Sequence, residues 1–169
     1  DEDFLRDTAY PYMIAVADFW DEYLQKDSTG RYVVYESSAR ESWSGSNDIN
    51  PVLDIAFVRN LYTNLIPMSE KLGIDEDRRA KWQDILDNLS PLPTMEFNGR
   101  TVFKEADNRQ EISTYGLGDN PVNMQGIFPG DNVGLGSTTA LLETALNSLD
   151  TMNSWNQGNA FANIFVMCA

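Results

Sequence analysis

The sequence contains no histidine, a single cysteine, few basic residues and no apolar run long enough to cross a bilayer. The first absence removes Ser-His and Cys-His nucleophile pairs and every histidine-bound metal from the chain's own chemistry. Cys168 lies in the apolar run FANIFVMCA, which predicts a small buried thiol rather than a nucleophile. No stretch approaches a membrane span, and no charged-then-apolar signal segment opens the chain. With 12 basic residues against 26 acidic ones, the net charge of −14 repels phosphate backbones and anionic lipid, so neither nucleic acid nor a membrane is an expected partner. What remains for chemistry is carboxylates, amides, hydroxyls and aromatics.

Those groups sit in a chain that folds. Its 169 residues, 42% hydrophobic and 11% aromatic, suffice for one core, and a single domain over residues 1–169 is expected. The chain opens at Asp1 and stops inside an apolar helical pattern at Ala169, so that domain is expected to be part of a longer one.

Between residues 8 and 26, Met13, Val16, Ala17, Trp20 and Leu24 recur at helical spacing and predict one amphipathic helix, with Pro11 near its first turn. RYVVYESS then reads as a short extended segment. Asn50 as N-cap, Pro51 at the first helical position and Asp54 at the positive end of the dipole mark the next helix. Its expected core face is Leu53, Phe57, Leu61, Leu65, Met68 and Leu72; Pro67 should kink it and Gly73 should end it. Asp75 is expected to cap a third helix that buries Trp82, Ile85, Leu86 and Leu89 and stops before Pro91. MEFNGRTVF carries Asn98-Gly99 between apolar residues and predicts a β-hairpin. Residues 106–137, rich in glycine with Pro121 and Pro129, read as a long loop of functional interest. A fourth helix over 138–152 carries Leu142, Ala145, Leu146 and Leu149, and a fifth starts near Asn156 or Gly158. Helices alternating with polar loops suit stacked helical hairpins.

The stretch SSARESWSGSNDINPVLD holds the densest chemistry. A glutamate partly desolvated against the indole of Trp43 has its pKa raised toward that of a general acid, and an indole also stacks on a sugar face. The structural alternative is that Glu41 pairs with Arg40 or caps a turn while Trp43 plugs the core. Asn and Asp in SNDIN invite a calcium reading, but EF-hand ligand spacing is absent and no metal or cofactor is expected.

The order of segments resembles a known family. DFLRDTAYPYMIAVADFWDEYL followed by GRYVVYESSARES resembles the catalytic domain of glycoside hydrolase family 95, the inverting α-L-fucosidase and α-L-galactosidase group. Ser38-Ala39-Arg40-Glu41-Ser42 occupies the place of that family's Ser-Pro-Glu-Asn element, with Arg40 for its Pro and Ser42 for its Asn. IFPGDNV is similar to the Tyr-Pro-Gly element, and SWNQGNAFANIFVMCA to the Gly-Trp-Ser segment. The resemblance implies an all-α domain, part of an (α/α)6 barrel carrying a small β-hairpin insertion, from a secreted or periplasmic bacterial enzyme that takes an oligosaccharide or glycan. It makes Glu41 the general acid and Arg40, Trp43, Asn47, Asp48, Asn123, Trp155 and Asn156 candidate sugar contacts, with Arg40 expected to pair with Asp48 or reach substrate. The family's histidines before Tyr-Pro-Gly are replaced here by NPVNMQG, so Asn120, Asn123 and Gln125 would meet a sugar differently.

Asp48, Asp54, Asp119 and Asp131 are the second carboxylates in reach of notice, for which inversion needs a separation of roughly 6.5 to 9.5 Å from the acid. A helix-dipole role suits Asp54, and turn roles suit Asp119 and Asp131. By the resemblance the water-activating asparagines and the catalytic aspartate fall outside this chain. The 169 residues alone are then expected to be inactive, with the remainder of the polypeptide as their partner. The alternative is a helical-barrel sugar-binding or scaffold protein without chemistry.

Overall fold

The computed structural model describes residues 1–40, 47–110, 121–152 and 166–169. Helices dominate them, as an all-α class requires. Helix α1 (Glu2–Phe4) continues through a π-helical turn (Leu5–Ala9) into α2 (Tyr10–Tyr23). Strands β1 (Gln25–Lys26) and β2 (Tyr32–Val33) form a two-stranded antiparallel patch, followed by α3 (Val52–Leu72). A 3-10 turn (Glu76–Arg78) leads into α4 (Arg79–Asn88). Strands β3 (Thr94–Phe97) and β4 (Arg100–Phe103), a 3-10 turn (Val122–Met124) and α5 (Thr139–Met152) complete the order. No described helix is long and apolar enough to cross a membrane.

Two apolar clusters hold these elements. In the first, Tyr10, Ala17 and Leu24 of the first helical segment meet Ile55, Val58, Tyr62 and Leu65 of α3 and Trp82 and Ile85 of α4. The buried stripe of α3 is therefore offset from the one its leucines suggest. Phe57 is 43% exposed, while Tyr62 and Ser69 are fully buried. Polar atoms make that offset possible, since the Tyr62 hydroxyl donates to Asp21 Oδ1 at 2.7 Å and Ser69 Oγ donates to Ile74 O. A hydropathy count treats both residues as surface, yet satisfied hydroxyls bury at little cost.

Helix punctuation is right in place and partly wrong in mechanism. Gly73 ends α3 in the left-handed conformation at φ 67°, and the helix runs through Pro67 to Leu72. At its start, however, Pro51 holds the cap position with no side-chain cap bond. Asn50 adopts φ 51° and is buried, and its amide accepts from Val34 N–H at 2.8 Å and donates to Asp107 Oδ2 at 2.7 Å. Asp75 likewise holds the cap position before α4 without a side-chain cap bond: its carboxylate accepts from the Tyr10 hydroxyl at 2.9 Å and ties the first helix to the turn before α4.

The second cluster joins Phe103 of β4, Met124, Val133 and Ala145, Leu149 and Met152 of α5. The β3–β4 hairpin turns at Asn98 and Gly99, both at positive φ (51° and 74°), as a type I′ turn demands. Within the long segment after it, Val122, Asn123, Met124, Gly126 and Gly130 are all buried, so its described part is packed structure rather than a surface loop. Leu146, expected in the core, is 66% exposed on α5, and Cys168 is exposed while its neighbour Met167 is buried. The fifth helix, apart from residues 166–168, lies outside the described residues.

Candidate active site

Helices α2 and α3 pack together, so the described parts of the connection between them, residues 24–40 and 47–51, start and finish at one end of the helical layer. Helix ends and their loops are where a rigid scaffold presents chemistry. The Glu41 segment, residues 41–46, lies outside the described residues, but both of its stems are described.

The stems are closed by a backbone bridge. Ser37 N–H donates to Asp48 O at 3.2 Å and Asp48 N–H donates to Ser37 O at 2.9 Å. Each stem then carries half of an ion pair to the segment that follows β4. Arg40 donates through Nε to Glu105 Oε2 at 2.9 Å and through Nη2 to Glu105 Oε1, a two-pronged contact with a carboxylate that is 0% exposed. Asp48, 2% exposed, accepts from Arg109 Nε at 2.6 Å on Oδ1 and from Ala39 N–H at 2.8 Å on Oδ2. The expected Arg40–Asp48 pair is thus replaced by two others. Two buried carboxylates each need a cation, and segment 104–110 supplies Glu105 to one pair and Arg109 to the other.

Several further polar groups of this layer brace the same stems. Asp107 N–H donates to Ile49 O at 2.8 Å. Asn108 accepts from Ile49 N–H at 2.9 Å and donates to Asn47 O at 2.8 Å. Val52 N–H, in the first turn of α3, donates to Glu105 O at 2.9 Å. Ser37 Oγ donates to Asp54 Oδ2 at 2.5 Å. Burial pushes the Asp54 carboxyl above the ordinary aspartate range, with the Ser37 hydroxyl pulling the other way.

Among the residues singled out from sequence, Arg40, Asn47 and Asp48 are brought together at the foot of the Glu41 segment. Glu41, Trp43, Trp155, Asn156, Asp119 and Asn120 lie outside the described residues. Asn123 is 1% exposed and donates to Phe103 O at 3.2 Å, which braces the β4 end. Both oxygens of Asp48 are engaged, which makes it a structural anchor and a poor base for water. Asp131 is exposed at φ 52°, a turn position. Sequence reasoning passed over Glu105 and Arg109; the signal was the polar run KEADNR directly after an apolar strand.

The chain is therefore mainly helical, and among the described residues one connection between helices is braced by two ion pairs that each hold a buried carboxylate. Residues 1–169 match the glycosyl hydrolase family 95 catalytic domain, and the chain belongs to that family. The full-length protein is accordingly a glycoside hydrolase, with a glycan as its substrate. No curated protein matches the chain.

Proposed function

We propose that the full-length protein hydrolyses α-L-fucoside- or α-L-galactoside-like bonds with inversion, and that Glu41 is the acid that protonates the departing glycosidic oxygen. The observation that carries this reading is the Arg40–Glu105 pair. A guanidinium beside an acid catalyst favours its ionised, useless form. Here the Arg40 fork is held by two bonds to a buried carboxylate, so its charge is balanced at the foot of the Glu41 segment. The same pair and the Asp48–Arg109 pair fix both stems, which suits a catalytic group that must be held in one place.

The water-activating base comes, in this reading, from the remainder of the polypeptide, which completes an (α/α)6 barrel. An apolar groove of about 460 Å³ between α5, residues 127–135 and residues 166–169 supports that, because Leu135 and Leu146 stand exposed along it. Secretion or a periplasmic location belongs to the same proposal. The test is Glu41→Gln in the full-length protein, assayed on an α-L-fucoside with an unactivated leaving group. It should lower kcat by about 10²- to 10⁴-fold, the range of general acid catalysis, and proton NMR of the unaltered enzyme's first product should show the inverted anomer. Turnover that survives Glu41→Gln would falsify the acid assignment.

A further inference from the structure

Beside the braced stems lies a cleft of about 420 Å³ formed by Gln25, Tyr35, Glu36, Asn47 and Ile49. We propose that it is a subsite for an uncharged sugar unit of the glycan. The inference rests on the reading of this helix end as the active-site end.

The cleft contrasts with its surroundings. Around the cleft, the side chains of Ser37, Asp48, Asn50, Asp107 and Asn108 are spent on Asp54, on Arg109, on one another and on backbone. Among the described residues, the side chains of Gln25, Tyr35, Glu36 and Asn47 have no hydrogen-bond partner. Two carboxamides, a carboxylate and a phenol left uncommitted on one concave surface are the donors and acceptors that sugar hydroxyls require. The Tyr35 ring and Ile49 add apolar surface for a pyranose face. A cleft of this volume falls in the range of small-ligand sites.

The wall of the cleft is also held in place. The Tyr23 hydroxyl donates to Tyr35 O at 2.6 Å and, at 3.4 Å, to Glu36 O. Gln25 is paired with Val33 in the β1–β2 patch, and Asn108 holds the backbone on either side of Asp48. Glu36 is fixed at φ 54°, a left-handed conformation that a glutamate keeps only when its surroundings enforce it; such residues concentrate at binding sites. A pre-formed polar wall spares a ligand the cost of ordering it. Charge selects the ligand: Glu36 in the wall and a net charge of −14 disfavour sulfated or uronic sugars.

The test uses the full-length protein, a neutral α-L-fucosyl trisaccharide and the sulfated form of the same trisaccharide. Gln25, Glu36 and Asn47 are exposed, so their substitution leaves the core intact. Asn47→Ala and Gln25→Ala should each raise KM for the neutral trisaccharide roughly fivefold, the effect of one lost hydrogen bond, with kcat within about twofold. Glu36→Gln should narrow the gap in affinity between neutral and sulfated forms. Titration calorimetry on a Glu41→Gln background reads the same subsite without turnover. Unchanged KM and Kd in both alanine variants, or a fall in kcat without a rise in KM, overturn the subsite and leave Glu41 standing. Full turnover by Glu41→Gln, with KM still raised in the cleft variants, removes the acid and leaves the subsite. A trisaccharide that the unaltered protein neither binds nor cleaves overturns both.

Discussion

Asp54 sits in the first turn of α3, half-buried, with its carboxylate accepting from Ser37 Oγ. Burial raises its folded-state pKa above the unfolded one, so the folded chain holds this proton more tightly than the unfolded chain does. The stabilisation from that proton is complete below the unfolded value and is lost as pH rises through the folded one. Asp54→Asn keeps an acceptor for Ser37 and removes the buried charge. The melting temperature of the variant relative to the unaltered protein should therefore be higher at about pH 7 than at about pH 4; a difference that stays flat or reverses would contradict the burial argument. Asp54 was visible in the sequence as a first-turn acid, but its burial was not, because Ser37 lies in a different segment. The same holds for Arg40: its charge was legible, whereas the choice of Glu105 over Asp48 depended on where β4 delivers residue 105.

At the scale of elements, the segment IFPGDNV docks on α3 through its glycine. A Cβ at Gly130 would stand 2.5 Å from Ala56 Cβ and 2.6 Å from Gln125 O, and the Gly130 carbonyl accepts from Asn60 Nδ2 at 3.3 Å. Gly130→Ala should cost about 1–3 kcal/mol, the usual penalty for overpacking a tight contact, read as a lower denaturant midpoint with an unchanged slope. An unchanged midpoint would mean that the loop and α3 separate freely. The hairpin at Asn98-Gly99 and the stop at Gly73 were readable because each is set by a few neighbouring residues and a positive φ. The buried stripe of α3 was not, since it is set by α2 and α4 together and includes Tyr62 and Ser69, whose hydroxyls find partners only in three dimensions.

Over the whole molecule, 26 acidic residues against 12 basic ones make the compact state repel itself. Raising ionic strength from about 0.01 M to about 0.15 M shortens the screening length from about 30 Å to about 8 Å, and should raise the melting temperature; the buried Arg40–Glu105 and Arg109–Asp48 pairs are screened much less than the surface. A melting temperature that falls with salt would show that surface ion pairs outweigh the net repulsion. The sequence by itself determined the mainly helical class, the absence of histidine chemistry, the acidic field and the local turns, because composition and near-neighbour sterics are properties of the chain alone. Only the tertiary structure decided which carboxylates are anchors and which polar side chains it leaves uncommitted among the described residues. Arg40 meets Glu105 across 65 residues and Asp48 meets Arg109 across 61, and contacts at that separation are chosen by packing, not by local sequence.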